Sequence, residues 1–474
     1  MQKILLLIAS LFYFNFILAE NEIKSWQGIH ETPLSRLEQQ FAEPPVEFAN
    51  HVIWGWEGKM DKKTICNDLD SIKKKGFRAV IFEAGYKLPF KYLSEEWFKA
   101  IRTGVLEAKK RGMKVWIIDE GKYPSGFAGG KFSQERPDLR MQALVIGDTI
   151  QVKRGEVMTN HKIAPEIINA VAVSTSGAPN RTVAINNGEI SFNAGLDDWK
   201  ILLVKSDFRT AVTRAVNNPN GGKDATNSLC DYLNPIAVQQ FIDWTHEQYK
   251  KYLGKELGTT VLGFRGDEPD YAHLPWTPSI VQTFKDTKGY DPTPYLASFF
   301  TTSPTIQEQR VKADYWDVWS SLFATHFFKL QADWCAANGV AHITHLNKEH
   351  EMPACVKAEG DYFRNLSKVQ IPGVDAIWNQ IWPGILNDFP KLASSVAHVY
   401  GKPRAFSESF AAYHISPTIP QAKFVVDHQI ARGINFFEFM FWPAGSKHRN
   451  WMSDPGMKGL NEYTNRTTYL MSQG

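Results

Sequence analysis

The sequence is poor in cysteine and in net charge. Its 474 residues include 4 cysteines, and none of them falls into a CxxC pair or a zinc-like spacing. Buried free thiols are therefore expected at Cys66, Cys230, Cys335 and Cys355, with one disulfide bridge left open as the alternative. The formal net charge is only +3, which gives no reason to expect a nucleic acid as a partner.

Long apolar runs are also missing, except at the N-terminus. There Lys3 precedes an apolar run that ends at Ala19, just before the polar residue Glu20. The run is shorter than the roughly 20 residues that a spanning helix needs, so a membrane anchor is the weaker interpretation. We predict a signal peptide over residues 1–19, a secreted or periplasmic location, and no membrane span after cleavage.

Several motifs of other enzyme classes are absent. No GxGxxG or GxxxxGK loop is present, which argues against a doubly wound nucleotide-binding sheet. No HxH pair marks the first strand-like run, and Lys348 is the only candidate for a Schiff-base lysine. Aromatic residues, in contrast, are abundant: 15 Trp, 16 Tyr and 30 Phe suit either a large core or the binding of sugars.

Eight short apolar runs, each ending in polar residues and most followed by an amphipathic helix, predict a closed (β/α)8 barrel of the TIM type. The runs are HVIWGW (51–56), AVIFEAG (79–85), KVWIIDE (114–120), TVLGFRGDEP (260–269), AHITHL (341–346), VDAIW (374–378), RAFSESF (404–410) and NFFEFMFWP (435–443). Strand-like runs such as ALVIGDTIQV predict a small all-β insertion after the third strand. The predicted domains are 20–139 (first part of the barrel), 140–230 (insertion) and 231–474 (remainder of the catalytic barrel).

The C-terminal ends of the strands, where such barrels carry their catalytic residues, are acidic and aromatic. Cleavage of a glycosidic bond needs one carboxylic acid and one carboxylate, and Glu268 and Glu408 make the best pair. Glu83 and Glu438 are more typical of scaffold ion pairs, and the tryptophans and the histidine could equally be packing residues. The predicted substrate-binding residues are Asp119, Glu120, Tyr123, Asp267, His345, Asn347, Trp378 and Trp442.

Long blocks of the sequence resemble glycoside hydrolase family 106, the α-L-rhamnosidases. The blocks are YLSEEWFKAIRTGVLEAKKRGMKVWIIDEGKYPSGFAGG (92–130), DYLNPIAVQQFIDWTHEQYKKYLG (231–254), GFRGDEP (263–269), GDYFRNLSKVQIPGVDAIW (360–378) and AFSESF (405–410). The resemblance covers nearly all of the chain after residue 19, although the segment THLNKEHE (344–351) does not match. Family members continue into β-rich domains, so the resemblance predicts a catalytic barrel that lacks them.

The resemblance implies an inverting α-L-rhamnosidase that removes terminal rhamnose from plant-type glycans, so an oligosaccharide or polysaccharide is the expected partner. By motif, Glu268 of DEP is the expected general acid and Glu408 of SES the expected base. No cofactor is required by the sequence, but the resemblance makes Ca²⁺ possible. Two alternatives stay open: a retaining glycosidase of other sugar specificity, and a glycan-binding or inactive remnant of such an enzyme.

Overall fold

The computed structural model describes residues 24, 26–29, 31–210, 226–271, 274–302, 304–445 and 451–473. The predicted signal peptide, 1–19, lies outside the described residues. Over the described ranges, no helix has the length and apolar character needed to cross a membrane. All four cysteines are described, and each of them is a free thiol.

Eight parallel strands close into a barrel in which each strand pairs with its neighbours along the chain. The barrel strands are β1 (His51–Trp56), β2 (Ala79–Ala84), β3 (Lys114–Ile118), β4 (Val261–Gly266), β5 (Ala341–Thr344), β6 (Ile371–Ala376), β7 (Phe406–Ser409) and β8 (Phe436–Pro443). The predicted (β/α)8 barrel is therefore confirmed.

The bounds of β6 differ from those predicted. The strand begins at Ile371 and includes Pro372 and Gly373, two residues that normally interrupt a strand. It ends before Trp378 and Asn379, because these residues take positive φ values of 52° and 56° and turn the chain across the barrel end. The prediction over 374–378 was thus displaced by about half a strand length.

The strands read as continuous apolar runs because both of their faces are buried. Side chains such as Ile81, Trp116, Ile343 and Phe436 fill the barrel interior. Their neighbours along the strands, such as Val80, pack outward against the helices. This double burial aligns the strands and brings all their C-terminal ends to one side of the molecule.

Helices cover the outside of the barrel. The helix Lys62–Lys74 shows why they form where they do: the carboxylate of Asp61 caps its start by accepting from the N–H of Thr64 at 2.9 Å. Gly76, with a φ of 89°, follows its end. The α-helices are Leu34–Ala42, Lys62–Lys74, Glu95–Lys110, Lys131–Glu135, Pro235–Trp244, His246–Leu253, Ile280–Lys288, Ile306–Leu322, Lys329–Ala337, Met352–Glu359, Tyr362–Leu366, Pro390–Val399, Ile419–Ile430 and Met457–Leu470.

The segment between β3 and β4 contains two small antiparallel sheets, which confirms the predicted all-β insertion. The larger sheet has the order Pro275–Trp276, Gln142–Val152, Trp199–Phe208, Ile167–Ser174 and Arg181–Thr182. The smaller sheet has the order Val157–Lys162, Glu189–Asn193 and Ile185–Asn186. The edge strand of the larger sheet, Pro275–Trp276, belongs to the loop after β4, so the insertion is joined to the catalytic end of the barrel.

Candidate active site

Arg265, on β4, draws three carboxylates together at the end of the barrel. Its side chain is fully buried, with Nη1 2.5 Å from Asp267 Oδ1 and Nε 3.2 Å from Glu438 Oε2. Its Nη2 donates to Glu408. A guanidinium carries only donors and stays charged, so Glu408 and Glu438 accept hydrogen bonds from it and Asp267 forms an ion pair with it. Arg265 therefore fixes Glu408 of β7 and Glu438 of β8 against β4.

His345, just after β5, adds a second cationic group to this cluster. Its Nε2 lies 3.3 Å from Asp267 Oδ1 and 3.5 Å from Glu408 Oε2, and its Nδ1 lies 3.4 Å from Glu349 Oε1. Burial lowers the pKa of His345, but the hydrogen bonds to these carboxylates outweigh burial and hold that pKa well above its usual range. The carboxylates around it therefore favour the protonated imidazole, against the effect of the Arg265 guanidinium, whose Nη2 lies 3.0 Å from Nε2.

The same two residues, Arg265 and His345, lower the pKa of Asp267. Burial raises the pKa of its carboxyl group, but the charges of Arg265 and His345 hold that pKa well below its usual range. Asp267 therefore stays ionised although its side chain is only 14% exposed.

Glu268 follows Asp267 and differs from it sharply. Burial, and then the charge of Asp267, raises the pKa of Glu268 to about 8. Its backbone takes a positive φ of 39°, which is uncommon for a residue other than glycine. The carboxyl group is thus protonated at neutral pH and can donate a proton.

A cavity of about 520 Å³, here called the barrel-mouth cavity, lies at the C-terminal ends of the strands. Both residues of the predicted catalytic pair line it, so the barrel brings together two side chains that are far apart in sequence. Its lining carboxyl groups are Glu83, Asp267, Glu268, Asp270, Asp375 and Glu408.

Asp375, which the sequence reasoning missed, lies among the predicted catalytic groups. It pairs in register with Glu408, and its carboxylate offers an atom within 4.8 Å of ligand atoms on Glu268 and His345. Burial, and then the charge of Glu408, raises the pKa of Asp375 well above its usual range. The only sequence signal was one acidic residue inside an otherwise apolar strand.

Glu83 and Lys122 form a further part of the lining, and no sequence pattern marked Lys122. The Nζ of Lys122 lies 2.8 Å from Glu83 Oε1 and 4.8 Å from the ring centroid of Tyr86. Burial raises the pKa of Glu83, against the effect of this lysine. The pair supports the prediction of Glu83 as an ion-paired residue and leaves Tyr86 facing the cavity.

Asp119 and Glu120 do not line the barrel-mouth cavity. Both side chains are fully buried. Glu120 accepts from four backbone N–H groups between 121 and 129 at 2.5 to 2.9 Å, and Asp119 accepts from the hydroxyl of Ser125 at 2.6 Å. Both residues thus lie beneath the cavity, where they hold the loop after β3. The sequence had predicted instead that they contact the sugar.

The remaining predicted substrate-binding residues divide into two groups. Tyr123, Asn347 and Trp378 line the cavity, and Trp378 is 51% exposed at its rim. His345 lies below the lining, in contact with both Asp267 and Glu408. Trp442 is 5% exposed and packs in the hydrophobic core, so it does not offer its ring to the cavity.

Two of the three clusters of metal-ligating side chains found over the described ranges do not suit Ca²⁺. His246, Cys335 and His342 offer no oxygen atom, whereas Ca²⁺ takes six to eight oxygen ligands. In the second cluster, Asp267 and Glu408 already accept from Arg265 and His345, so their charge is balanced by protein cations.

The third cluster, which consists of Glu268, His345 and Asp375, borders the barrel-mouth cavity. The Oδ1 atom of Asp375 is buried and has no hydrogen-bond partner in the described part of the chain. A buried carboxylate oxygen without a partner is chemically suited to a hard cation. Asp375 is therefore the residue that fits a Ca²⁺ ion best.

Comparison with known proteins supports one family. The family model described as alpha-L-rhamnosidase matches residues 180–468. A protein of Formosa agariphila named "Putative beta-glucuronidase" is 23% identical over 516 aligned positions, which cover 93% of this chain and 42% of that protein. The chain thus spans less than half the length of this curated relative.

One of the solved structures that this chain resembles shares its fold. The rhamnosidase from Novosphingobium sp. PP1Y superposes with a TM-score of 0.67 at 15% identity, over 92% of this chain and 61% of that one. A beta-galactosidase from Halorubrum lacusprofundi gives a TM-score of 0.48 at 9% identity, over 88% of this chain and 57% of that one. The first of these confirms the barrel architecture.

The family match extends over more than half of the chain and includes β4 to β8 with both Glu268 and Glu408. The resemblance carried by the DEP and SES motifs is thereby confirmed. This chain belongs to glycoside hydrolase family 106, the α-L-rhamnosidase family.

Proposed function

We propose that this chain is the catalytic barrel of an exported α-L-rhamnosidase, which removes terminal rhamnose from plant-type glycans with inversion at the anomeric carbon. One observation carries the proposal. A carboxyl group whose pKa is raised to about 8, Glu268, lines the same cavity as Glu408, which accepts from a buried guanidinium. The environments of the two groups separate them into a proton donor and a proton acceptor.

In the proposed reaction, Glu268 gives its proton to the glycosidic oxygen while the bond between that oxygen and the anomeric carbon breaks. The bonding electrons leave with the oxygen. A water molecule attacks the anomeric carbon from the opposite face, and Glu408 takes a proton from this water. Exchange of protons with solvent then restores the acid form of Glu268 and the carboxylate of Glu408.

The surrounding charges suit the positive charge that develops on the sugar ring. Asp267 stays ionised because Arg265 and His345 hold its pKa down. An ionised carboxylate beside the cavity attracts the positive charge of an oxocarbenium-like transition state more than it attracts the neutral substrate, although Arg265 and His345 offset part of this effect. We assign Tyr123, Asn347 and Trp378, which line the cavity, to the binding of the sugar ring.

Ca²⁺ remains part of the proposal as a cofactor that Asp375 would help to hold. When bound, the ion would supply positive charge that orients the hydroxyl groups of the sugar. A raised pKa means that Asp375 must lose its proton before it can act as a ligand, so binding of Ca²⁺ would release a proton.

The test is turnover of a panel of aryl glycosides by the purified chain and by Glu268→Gln, Glu408→Gln and Asp375→Asn. Glu135→Gln, on the exposed side of a helix, is the matched surface control. We expect turnover of the aryl α-L-rhamnoside and a loss of about 10²–10⁴-fold in Glu408→Gln. No turnover of any glycoside would leave a glycan-binding protein or an inactive remnant as the interpretation.

Two further outcomes would change the proposal in part. NMR of the first product should show the β anomer of rhamnose, whereas the α anomer would establish a retaining enzyme. If Asp375→Asn abolishes turnover and Glu408→Gln does not, the second carboxylate is Asp375, which offers an oxygen within 4.8 Å of one on Glu268.

A further inference from the structure

A second cavity, of about 690 Å³, opens next to the barrel-mouth cavity. Asp270 and Lys348 line both cavities, so the two share a border. Asp270 lies two residues after Glu268, on the loop that leaves β4. The second cavity therefore begins on the side of the proposed acid, and a general acid stands next to the oxygen of the departing group.

The walls of the second cavity carry aromatic rings that are only partly buried. Phe299, Phe300 and Trp316 are the lining rings. The indole N–H of Trp316 donates to the carbonyl of Val356 at 3.2 Å, and the ring of Phe299 packs 5.0 Å from that of Tyr315. These contacts fix the rings in place, so their apolar faces are ready to receive the C–H face of a sugar.

The lining of this cavity is positively charged. Lys312, Lys348 and Lys357 contribute to it, and none of the three takes part in an ion pair over the described ranges. Asp270 is the single acidic group of the lining as described, and burial raises its pKa, which favours its neutral form. In the barrel-mouth cavity, by contrast, Lys122 is neutralised by Glu83 at 2.8 Å.

The two neighbouring cavities thus differ in the ionisable groups that line them. The barrel-mouth cavity is lined mainly by carboxyl groups, which suits a neutral sugar that becomes positive in the transition state. The second cavity offers ammonium groups that form no ion pair with a carboxylate in the described part of the chain, and that of Lys312 lies 5.9 Å from the ring centroid of Phe299. A ligand that satisfies both features is a sugar ring that carries a negative charge.

We propose that the second cavity binds an anionic sugar, which bears a carboxylate or a sulfate group, on the leaving-group side of the bond that is cleaved. This inference rests on the proposed function and adds the class of sugar to which the rhamnose is attached. Lys348 and Lys357 are exposed and Lys312 is half-buried. Each would form a weak ion pair with the anion, so together they should favour such a substrate by about tenfold in kcat/KM.

The test compares three disaccharides that differ at one position. Each has rhamnose in α linkage, joined to glucose, to glucuronate or to glucose 6-sulfate. We expect kcat/KM to be about tenfold higher for the charged substrates at low salt, and the difference to shrink at high salt because mobile ions screen exposed charges. The charged substrate with the higher kcat/KM identifies the anion.

Variants link this preference to the second cavity. Lys312→Gln and Lys357→Gln should each lower the ratio of kcat/KM for the charged substrate to that for the neutral one, and the double variant should lower it most. Lys63→Gln, an exposed lysine on the helix Lys62–Lys74, is the matched control and should keep the ratio of the parent chain. Thermal unfolding verifies that each variant is folded.

The outcomes separate this inference from the proposed function. Turnover of an aryl α-L-rhamnoside with equal kcat/KM for all three disaccharides would overturn the anionic site and leave the rhamnosidase proposal intact. A preference for charged substrates that survives in the double variant would also overturn the site. Failure to cleave any rhamnoside would instead overturn the proposed function itself.

Discussion

Glu268 and Glu408 are the same amino acid, yet their surroundings give them opposite tasks. Glu268 is next to the ionised Asp267, and its pKa is raised to about 8. Glu408 accepts from Arg265 and lies 3.5 Å from His345, so its neighbours are cations. An acid and a base in one cavity arise from such differences in environment, not from the side chains themselves.

The first prediction concerns the pH dependence of turnover. For a phenyl α-L-rhamnoside, kcat/KM should fall as the pH rises through about 8, because Glu268 then loses the proton that it must donate. A dinitrophenyl rhamnoside has a leaving group that needs no proton, so its alkaline decrease should be weak. The pH profiles of the two substrates check this expectation.

The matched variant makes this prediction sharper. Glu268→Gln should retain far more of its turnover of the dinitrophenyl substrate than of the phenyl substrate. Equal losses for the two leaving groups would show that Glu268 is not the general acid.

The second prediction concerns Arg265, whose guanidinium contacts Asp267, Glu408 and Glu438. Arg265→Met should cost about 3–5 kcal/mol in the free energy of unfolding, because it leaves buried carboxylates without a cation. Arg265→Lys should also be destabilised, since one ammonium group cannot reproduce the planar fork of donors. Chemical denaturation at neutral pH measures both effects.

Arg310→Lys is the control for Arg265→Lys, because the side chain of Arg310 is 69% exposed and its ion pair with Asp314 lies at the surface. We expect a change of less than about 0.5 kcal/mol there. If Arg265→Lys were as stable and as active as the parent chain, the arrangement of donors around Arg265 would not matter for the site.

At the scale of elements, the loop after β3 shows how backbone and side chains shape one wall of the cavity. Glu120 binds four N–H groups of this loop. Gly126 has a φ of 110°, and a Cβ atom there would lie 2.6 Å from the ring of Tyr232. The loop is thus held from below, and it carries Tyr123 into the cavity lining.

The third prediction tests this arrangement with Glu120→Gln. The side-chain amide of glutamine would place its own N–H groups against backbone N–H groups that donate to the Glu120 carboxylate. Two donors would then face each other without an acceptor between them. We expect a loss of about 2–4 kcal/mol in the free energy of unfolding, together with a higher KM as Tyr123 loses its support. Denaturation and steady-state kinetics measure the two effects.

Glu135→Gln again serves as the control for Glu120→Gln, because Glu135 is exposed and forms only a surface ion pair with Lys131. If Glu120→Gln unfolds like this control, the four N–H groups do not depend on a carboxylate.

At the scale of the whole molecule, the barrel was predictable because its strands are buried on both faces and so read as apolar runs. Glu268 and Glu408 were predictable because a closed barrel brings all strand ends together. The direction of a side chain was not predictable in the same way. Asp375 lies within its strand and reaches the catalytic groups, whereas Asp119 and Glu120 stand at a strand end and lie beneath the cavity.

Buried carboxyl groups couple the stability of the molecule to pH. Burial is the largest cause that raises the pKa of Glu120, Asp231 and Glu438, in each case to about 7. The usual pKa values are 4.5 for Glu and 3.8 for Asp, so between these values and pH 7 the folded chain holds protons that the unfolded chain has lost. This contribution to stability is complete at low pH and is lost as the pH rises through about 7.

The fourth prediction is therefore that the free energy of unfolding falls by about 1–3 kcal/mol between pH 6.5 and 8. Buried histidines with a lowered pKa, such as His246 and His342, reduce this trend below about pH 7.5, because the unfolded chain begins to protonate them there. His345, whose pKa is raised, loses its contribution in the same direction as the carboxyl groups.

Urea denaturation across this pH range measures the slope. Asp231→Asn, which keeps an acceptor for the N–H of Leu233, should make the slope shallower, and an unchanged or rising slope would contradict the prediction.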